Sequence, residues 1–250
     1  LIGLISKYLD KFIVGRYYSP EEFAMYANGA FELPFIGLVT GSAMAILLPE
    51  FVRFYKKEDY SSIGRVWRNS IRKISIILIP VTIFSLFFSE EIIVAMFSKK
   101  YVASTQIFFI YLLVLPMRIT TFGSVLSAID QNKVIMRWSI IGLVMNVIIS
   151  LILVEYIGII GPTIATVVSI YFVGFGQLNQ ISRLIKTKIS NILPINDLAI
   201  ITISSLLFII IIRYFLQDFH SLYFRLILSG VIFTIVYYGF FKTIYPKINY

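Results

Sequence analysis

Residues 103–126 read ASTQIFFIYLLVLPMRITTFGSVL, an apolar run holding one formal charge, Arg118. A spanning helix needs about 20 mainly apolar residues, so this run is long enough to cross a bilayer. A guanidinium at that depth costs roughly 2.5 kcal/mol or more, so it faces protein or water and marks a functional position. Arg118 lies eight residues before Leu126, about 12 Å along a helix axis, which makes snorkelling to that interface a stretch.

The rest of the chain has the same character. It is 58% hydrophobic and 16% aromatic, with 14% charged residues and a mean hydropathy of +0.88. A soluble domain carries about 25% charge, so the composition is that of an all-α integral membrane protein. The net charge of +9 follows from basic residues between apolar runs, as the positive-inside rule describes, and does not point to nucleic acid. The absence of cysteine excludes disulfides and thiolate chemistry. The single histidine, His220, sits in a predicted turn and reads as a surface residue.

About eight apolar segments are predicted, near 1–18, 25–48, 70–88, 103–126, 136–154, 159–178, 198–216 and 222–241. Pro20, Pro162, Pro194 and Pro246 mark connections, whereas Pro34, Pro80 and Pro116 fall inside spans and predict kinks. Arg53, Lys56, Lys57, Arg65, Arg68, Arg72 and Lys73 gather on one side, with Lys133, Arg137, Arg183, Lys186, Lys188, Lys242 and Lys247. Lys99, Lys100, Arg213 and Arg225 fall on the other. The first side is therefore expected in the cytoplasm. The connections 49–69 and 179–197 are basic and amphipathic; Phe51, Phe54, Tyr55, Ile63, Val66 and Trp67 suit a segment lying along the membrane surface. The chain opens at Leu1 part-way into an apolar stretch and reads as part of a longer protein.

Polar residues inside the spans form stripes. Gly3, Lys7, Asp10 and Lys11 share a helical face, and Lys7 can pair with Asp10. Asn28 and Glu32 share another, and Ser104, Tyr111 and Arg118 recur at seven-residue spacing beside Thr121. Ser139, Gly142, Asn146 and Ser150 make a fourth stripe, of the small and amide type that packs helices. Two readings of the charges stand. One is a structural ion pair, such as Glu32 with Arg118, that fixes helix register. The other, which is favoured, is a water-filled, net basic cavity attractive to phosphate or pyrophosphate. No phosphate loop of the GxxxxGK[ST] kind, HExxH motif or Ser-His-Asp set is present, and Gly174-Phe175-Gly176 lacks the rest of a dinucleotide fingerprint. Catalysis, cofactors and metals are not expected.

Several short motifs occur in order: Leu9-Asp10-Lys11-Phe12-Ile13-Val14-Gly15, Ser19-Pro20-Glu21-Glu22 with Tyr26-Ala27, Leu48-Pro49-Glu50-Phe51, the stretch Ser139 to Thr166, and Leu193-Pro194. Their order is similar to that of polysaccharide and O-antigen repeat-unit flippases, members of the multidrug/oligosaccharidyl-lipid/polysaccharide exporter superfamily. The resemblance implies the second six-helix lobe of a two-lobed transporter (1–180), a cytoplasmic connector (181–197) and two additional lipid-facing helices (198–250). It implies flipping of an oligosaccharide on undecaprenyl pyrophosphate across a bacterial cytoplasmic membrane by alternating access, for O-antigen, lipopolysaccharide or exopolysaccharide synthesis. A polysaccharide polymerase and other assembly proteins would be partners, and the last two helices would hold the prenyl tail. Lys7, Lys11, Arg118 and Asn146 are the expected substrate residues, with Asp10, Glu32 and Asn28 balancing charge or coupling to an ion gradient. The alternatives are a multidrug or metabolite cation antiporter of the same superfamily and, from another class, a membrane polysaccharide polymerase or ligase.

Overall fold

The computed structural model of the chain describes residues 2–217, 219 and 221–244, and the side chains of 8–33, 35–217, 219 and 221–243. Lys7's side chain, His220, Pro246 and Lys247 lie outside the described residues. Among the described residues thirteen α-helices follow one another: α1 (Ile2–Tyr17), α2 (Pro20–Gly29), α3 (Pro34–Lys56), α4 (Tyr60–Phe87), α5 (Ser89–Phe97), α6 (Ser104–Leu112), α7 (Leu115–Arg118), α8 (Phe122–Ala128), α9 (Asn132–Ile157), α10 (Gly161–Leu184), α11 (Ile189–Ile192), α12 (Ile195–Leu216) and α13 (Leu222–Ile244). Among the described residues there is no strand. Six stretches among the described residues are long and apolar enough to span a membrane: Phe35–Lys56, Tyr60–Phe87, Ser104–Ala128, Asn132–Leu184, Ile195–Leu216 and Leu222–Thr243. Asn132–Leu184 is a hairpin of two such helices, α9 and α10. The chain is a multi-pass, all-α membrane protein.

Two expected spans are not continuous helices. The segment 25–48 breaks at residues 30–33, so Asn28 and Glu32 do not share one helical face. Pro34 opens α3 at its first turn; proline fits there because its missing N–H would have no intrahelical partner. The segment 103–126 is divided into α6, α7 and α8, with Pro116 likewise in the first turn of α7. Pro80, by contrast, sits inside an unbroken α4.

The basic segment 49–69 is also not a connector along the surface. Helix α3 continues to Lys56 and α4 begins at Tyr60, where Asp59 accepts from the Ser62 backbone N–H as an N-cap. Phe51, Ile63 and Trp67 are fully buried in the main core, together with Ile71, Leu78, Phe108 and Leu126. Their apolar side chains serve helix packing, while Arg53 and Arg65 on the same turns stay exposed and Arg68 donates to the Ser190 and Leu193 carbonyls. A second core joins the last helices to the body: Ile79, Ile83 and Phe88 pack against Ile201, Ile209, Ile212, Phe233 and Tyr237. Helix α12 thus lies against α4, leaving Ile203, Leu207 and Ile211 exposed on its far side.

Candidate functional site

Both helix breaks expose backbone groups that a membrane interior cannot hydrate, so protein must satisfy them. The Leu113 carbonyl, at the end of α6, accepts from the Tyr171 hydroxyl at 3.0 Å. The Thr120 carbonyl, between α7 and α8, accepts from the Trp67 indole N–H at 2.5 Å. Thr121 then takes a left-handed conformation, with φ of 45°, which is rare and strained for a β-branched residue. Side chains of α4 and α10 therefore hold the interrupted span open at two points.

Arg118 stands at the end of α7, between those points, and Glu32 stands in the α2–α3 break. Their side chains meet at 3.2 Å. The charged pair thus joins one break to the other. Both residues line a cavity of about 550 Å³, and Arg118 retains 48% of its side-chain exposure against 25% for Glu32. Tyr111 is on the same wall. The opposite wall comes from α9 and α10 and is neutral but polar, with Trp138, Ser139, Asn146, Thr166, Ser169 and Gln177.

That wall is tightly built. Asn146 donates to the Thr166 hydroxyl at 3.0 Å and accepts from Ser150 at 3.3 Å. The Trp138 N–H and the Arg137 guanidinium both donate to Gln180, at 2.8 and 3.1 Å. A methyl group on Gly142 would stand 2.7 Å from Val173, one on Gly161 would meet the Leu153 backbone at 2.5 Å, and one on Gly176 would strike the Trp138 ring. Small residues thus permit close helix approach. The Oγ of Ser169 and the Oγ1 of Thr121 are buried at the cavity without a partner among the described residues.

The remaining expected site residues separate. Lys11 lines a different groove, of about 490 Å³, with Tyr8, Phe12, Arg16 and Phe23. It does not line the Arg118 cavity, because the face of α1 that carries it, with Tyr8, Phe12 and Arg16, opens onto this other groove. Asp10 is 2% exposed and accepts from the Tyr26 hydroxyl at 3.0 Å and from the Lys11 backbone N–H at 2.8 Å. Asn28 is half-buried on α2 and outside the cavity lining. Ser104 is fully buried and donates to the Met25 carbonyl at 2.7 Å; it bonds α6 to α2, so of the stripe it opened, Tyr111 and Arg118 reach the cavity and Ser104 does not. The charged groups among the described lining residues are Glu32 and Arg118, which makes that lining formally neutral rather than net basic. Gln177, Ser169 and Trp138 were not singled out from the sequence; an amide and a hydroxyl inside the apolar run of α10 are the signal that would have marked two of them.

The comparisons with known proteins agree with this architecture. A solved structure described as lipid II flippase MurJ in an inward closed conformation superposes with a TM-score of 0.78 over 98% of this chain and 52% of that one, at 21% identity. A Haloferax volcanii protein described as a probable low-salt glycan biosynthesis flippase, Agl15, is 25% identical over 170 residues, or 67% of this chain. The chain spans 36% of the length of that relative and about half of the solved one. The family model described as Lipid II flippase MurJ matches residues 21–233. The chain therefore belongs to the MurJ family of lipid II flippases, within the exporter superfamily that its motifs resemble.

Proposed function

We propose that the chain forms one lobe, with two added helices, of a flippase that moves a polyprenyl-pyrophosphate-linked oligosaccharide across the cytoplasmic membrane by alternating access. The observation that carries this reading is the Glu32–Arg118 pair, set between two interrupted helices and facing a cavity. Broken helices at membrane depth are tolerated where they line such a space, and transporters bind their substrates there. In the proposed cycle the diphosphate displaces Glu32 from Arg118, whose planar fork matches phosphate oxygens in a bidentate way. Glu32, once released, takes up a proton or cation and balances charge. The neutral wall of amides, hydroxyls and Trp138 suits the first sugar, and the basic end of the bundle faces the cytoplasm.

The ion pair also bears on the cation-antiporter alternative. A cation antiporter is expected to leave an acid available in the cavity, whereas here the acid is engaged by arginine. The test uses cells whose only copy of the whole protein carries Arg118→Ala. Surface glycan should be lost at unchanged protein level, and reconstituted vesicles should no longer flip a polyprenyl-pyrophosphate glycan. Unchanged flipping at normal protein level removes Arg118 from the site. Loss of organic-cation efflux with flipping intact would favour the antiporter.

A further inference from the structure

A second charged cluster lies at the other end of the bundle, outside the proposed transport site. Glu91 on α5 is only 5% exposed, and Arg225 at the start of α13 reaches it at 2.7 Å. Arg213, near the end of α12, stands 4.0 Å from the same carboxylate and stays 46% exposed. Its guanidinium rests over the Phe88 ring, 5.4 Å from the centroid, and donates to the Phe87 carbonyl at the end of α4. Two guanidinium groups therefore share one buried carboxylate. Arg225 Nε is buried with no acceptor among the described residues. A cavity of about 370 Å³ opens between the two arginines, with Phe88, Ile210 and Leu216 as apolar walls.

We propose that this cavity binds the phosphate of an anionic lipid headgroup. The charge argument is local: among the described residues, two cations face one acid, and the surplus is on the half-exposed Arg213. Depth decides the source. Tyr214 and Tyr223 are exposed around this end, and exposed tyrosines, with an apolar ring and a polar tip, mark the headgroup level of a membrane. An anion entering there comes with acyl chains, for which Ile210 and Leu216 offer apolar contact. Basic pockets between membrane helices hold anionic headgroups by this combination of charge and apolar wall. The bound lipid would bridge α12 and α13, whose arginines already meet at Glu91 on α5. The site stands independently of the Glu32–Arg118 reading.

The test exchanges the whole purified protein into nanodiscs of phosphatidylglycerol or phosphatidylcholine with identical acyl chains, and reads retained lipid by native mass spectrometry. Phosphatidylglycerol should be retained preferentially, and Arg213→Gln should cut the preference about fivefold, the loss expected for one basic residue at a membrane surface. Arg213→Lys should keep it. Lys100→Gln, at the same end but outside the cavity, should also leave it unchanged. Should Arg213→Gln fold poorly, the wild-type melting temperature supplies the second reading: it should rise with phosphatidylglycerol and not with phosphatidylcholine. Equal retention of both lipids, or full preference in a folded Arg213→Gln protein, overturns the proposal. Displacement of the lipid by inorganic phosphate at equal concentration also overturns it, since the site would then take a free anion.

Discussion

Replacing Glu32 by Gln should make the protein bind diphosphate more tightly, not less. The substitution keeps size and hydrogen bonding but removes the charge that competes for Arg118. At the observed 3.2 Å, two unit charges in an effective dielectric of about 20 attract by about 5 kcal/mol. Most of that is offset, because Arg118 is half exposed and two side chains must be ordered. A net coupling of about 1 kcal/mol is the reasonable figure for such a pair. Released to the ligand, that energy raises affinity about fivefold. The assay is a calorimetric titration of the purified protein with a short-chain polyprenyl pyrophosphate, with thermal unfolding followed in parallel. Arg118→Gln should bind weakly, and the double variant should bind no better than Arg118→Gln alone. If Glu32→Gln unfolds at the wild-type temperature yet binds no tighter, Glu32 is not the competitor. If it only destabilises, the pair sets helix register and nothing more.

Three other outcomes follow from the geometry. Trp67→Phe removes the donor to the Thr120 carbonyl and should cost about 1–3 kcal/mol, the penalty of an unsatisfied buried group, read as a lowered melting temperature. Gly29→Ala would put a methyl 2.6 Å from Ile107 and 2.7 Å from the Ser104 carbonyl. It should cost about 1–3 kcal/mol by overpacking, whereas Gly41→Ala, which meets nothing within 4 Å, should be neutral or slightly stabilising. Glu22 closes a capping box with Ser19, whose backbone N–H and hydroxyl donate to it and hold its carboxyl below the usual range. Its support of α2 is therefore present above the ordinary carboxylate range and lost as pH falls through the depressed value. NMR titration should report a low Glu22 midpoint that rises in Ser19→Ala.

The helical membrane architecture was legible because long apolar runs have few other solutions. The hairpin of α9 and α10 is the clearest case: two uninterrupted runs around Gly158 and Gly161 became two full helices. The interruptions were not legible. Hydropathy reports which residues can lie in a membrane, not whether their backbone is continuous, and a proline inside a run reads equally as a kink or as a first turn. Pro34 and Pro116 are first turns. Arg118 and Glu32 stood out because charge in an apolar run is costly, and their pairing was one of two readings the residues allowed. Lys11 stood out for the same reason, but the direction of its side chain depends on how α1 packs. Composition cannot supply that. The basic turns around Arg53 and Arg65 read as a connector because charge masks the apolar face that buries Phe51 and Trp67.

The glycine contacts between α9 and α10 bear on how the cavity could change shape. Where a helix lies against its neighbour with no room for a methyl group, neither can slide without collision. That wall of the cavity behaves as an anvil. The opposing wall is made of short helical pieces joined by non-helical turns, which can pivot by small changes in a few dihedral angles. In the proposed cycle, a change of cavity volume should therefore be one-sided, with the charged wall moving and the neutral wall keeping its shape. A cross-link between α9 and α10 should leave such movement intact, and one between the two helix breaks should arrest it.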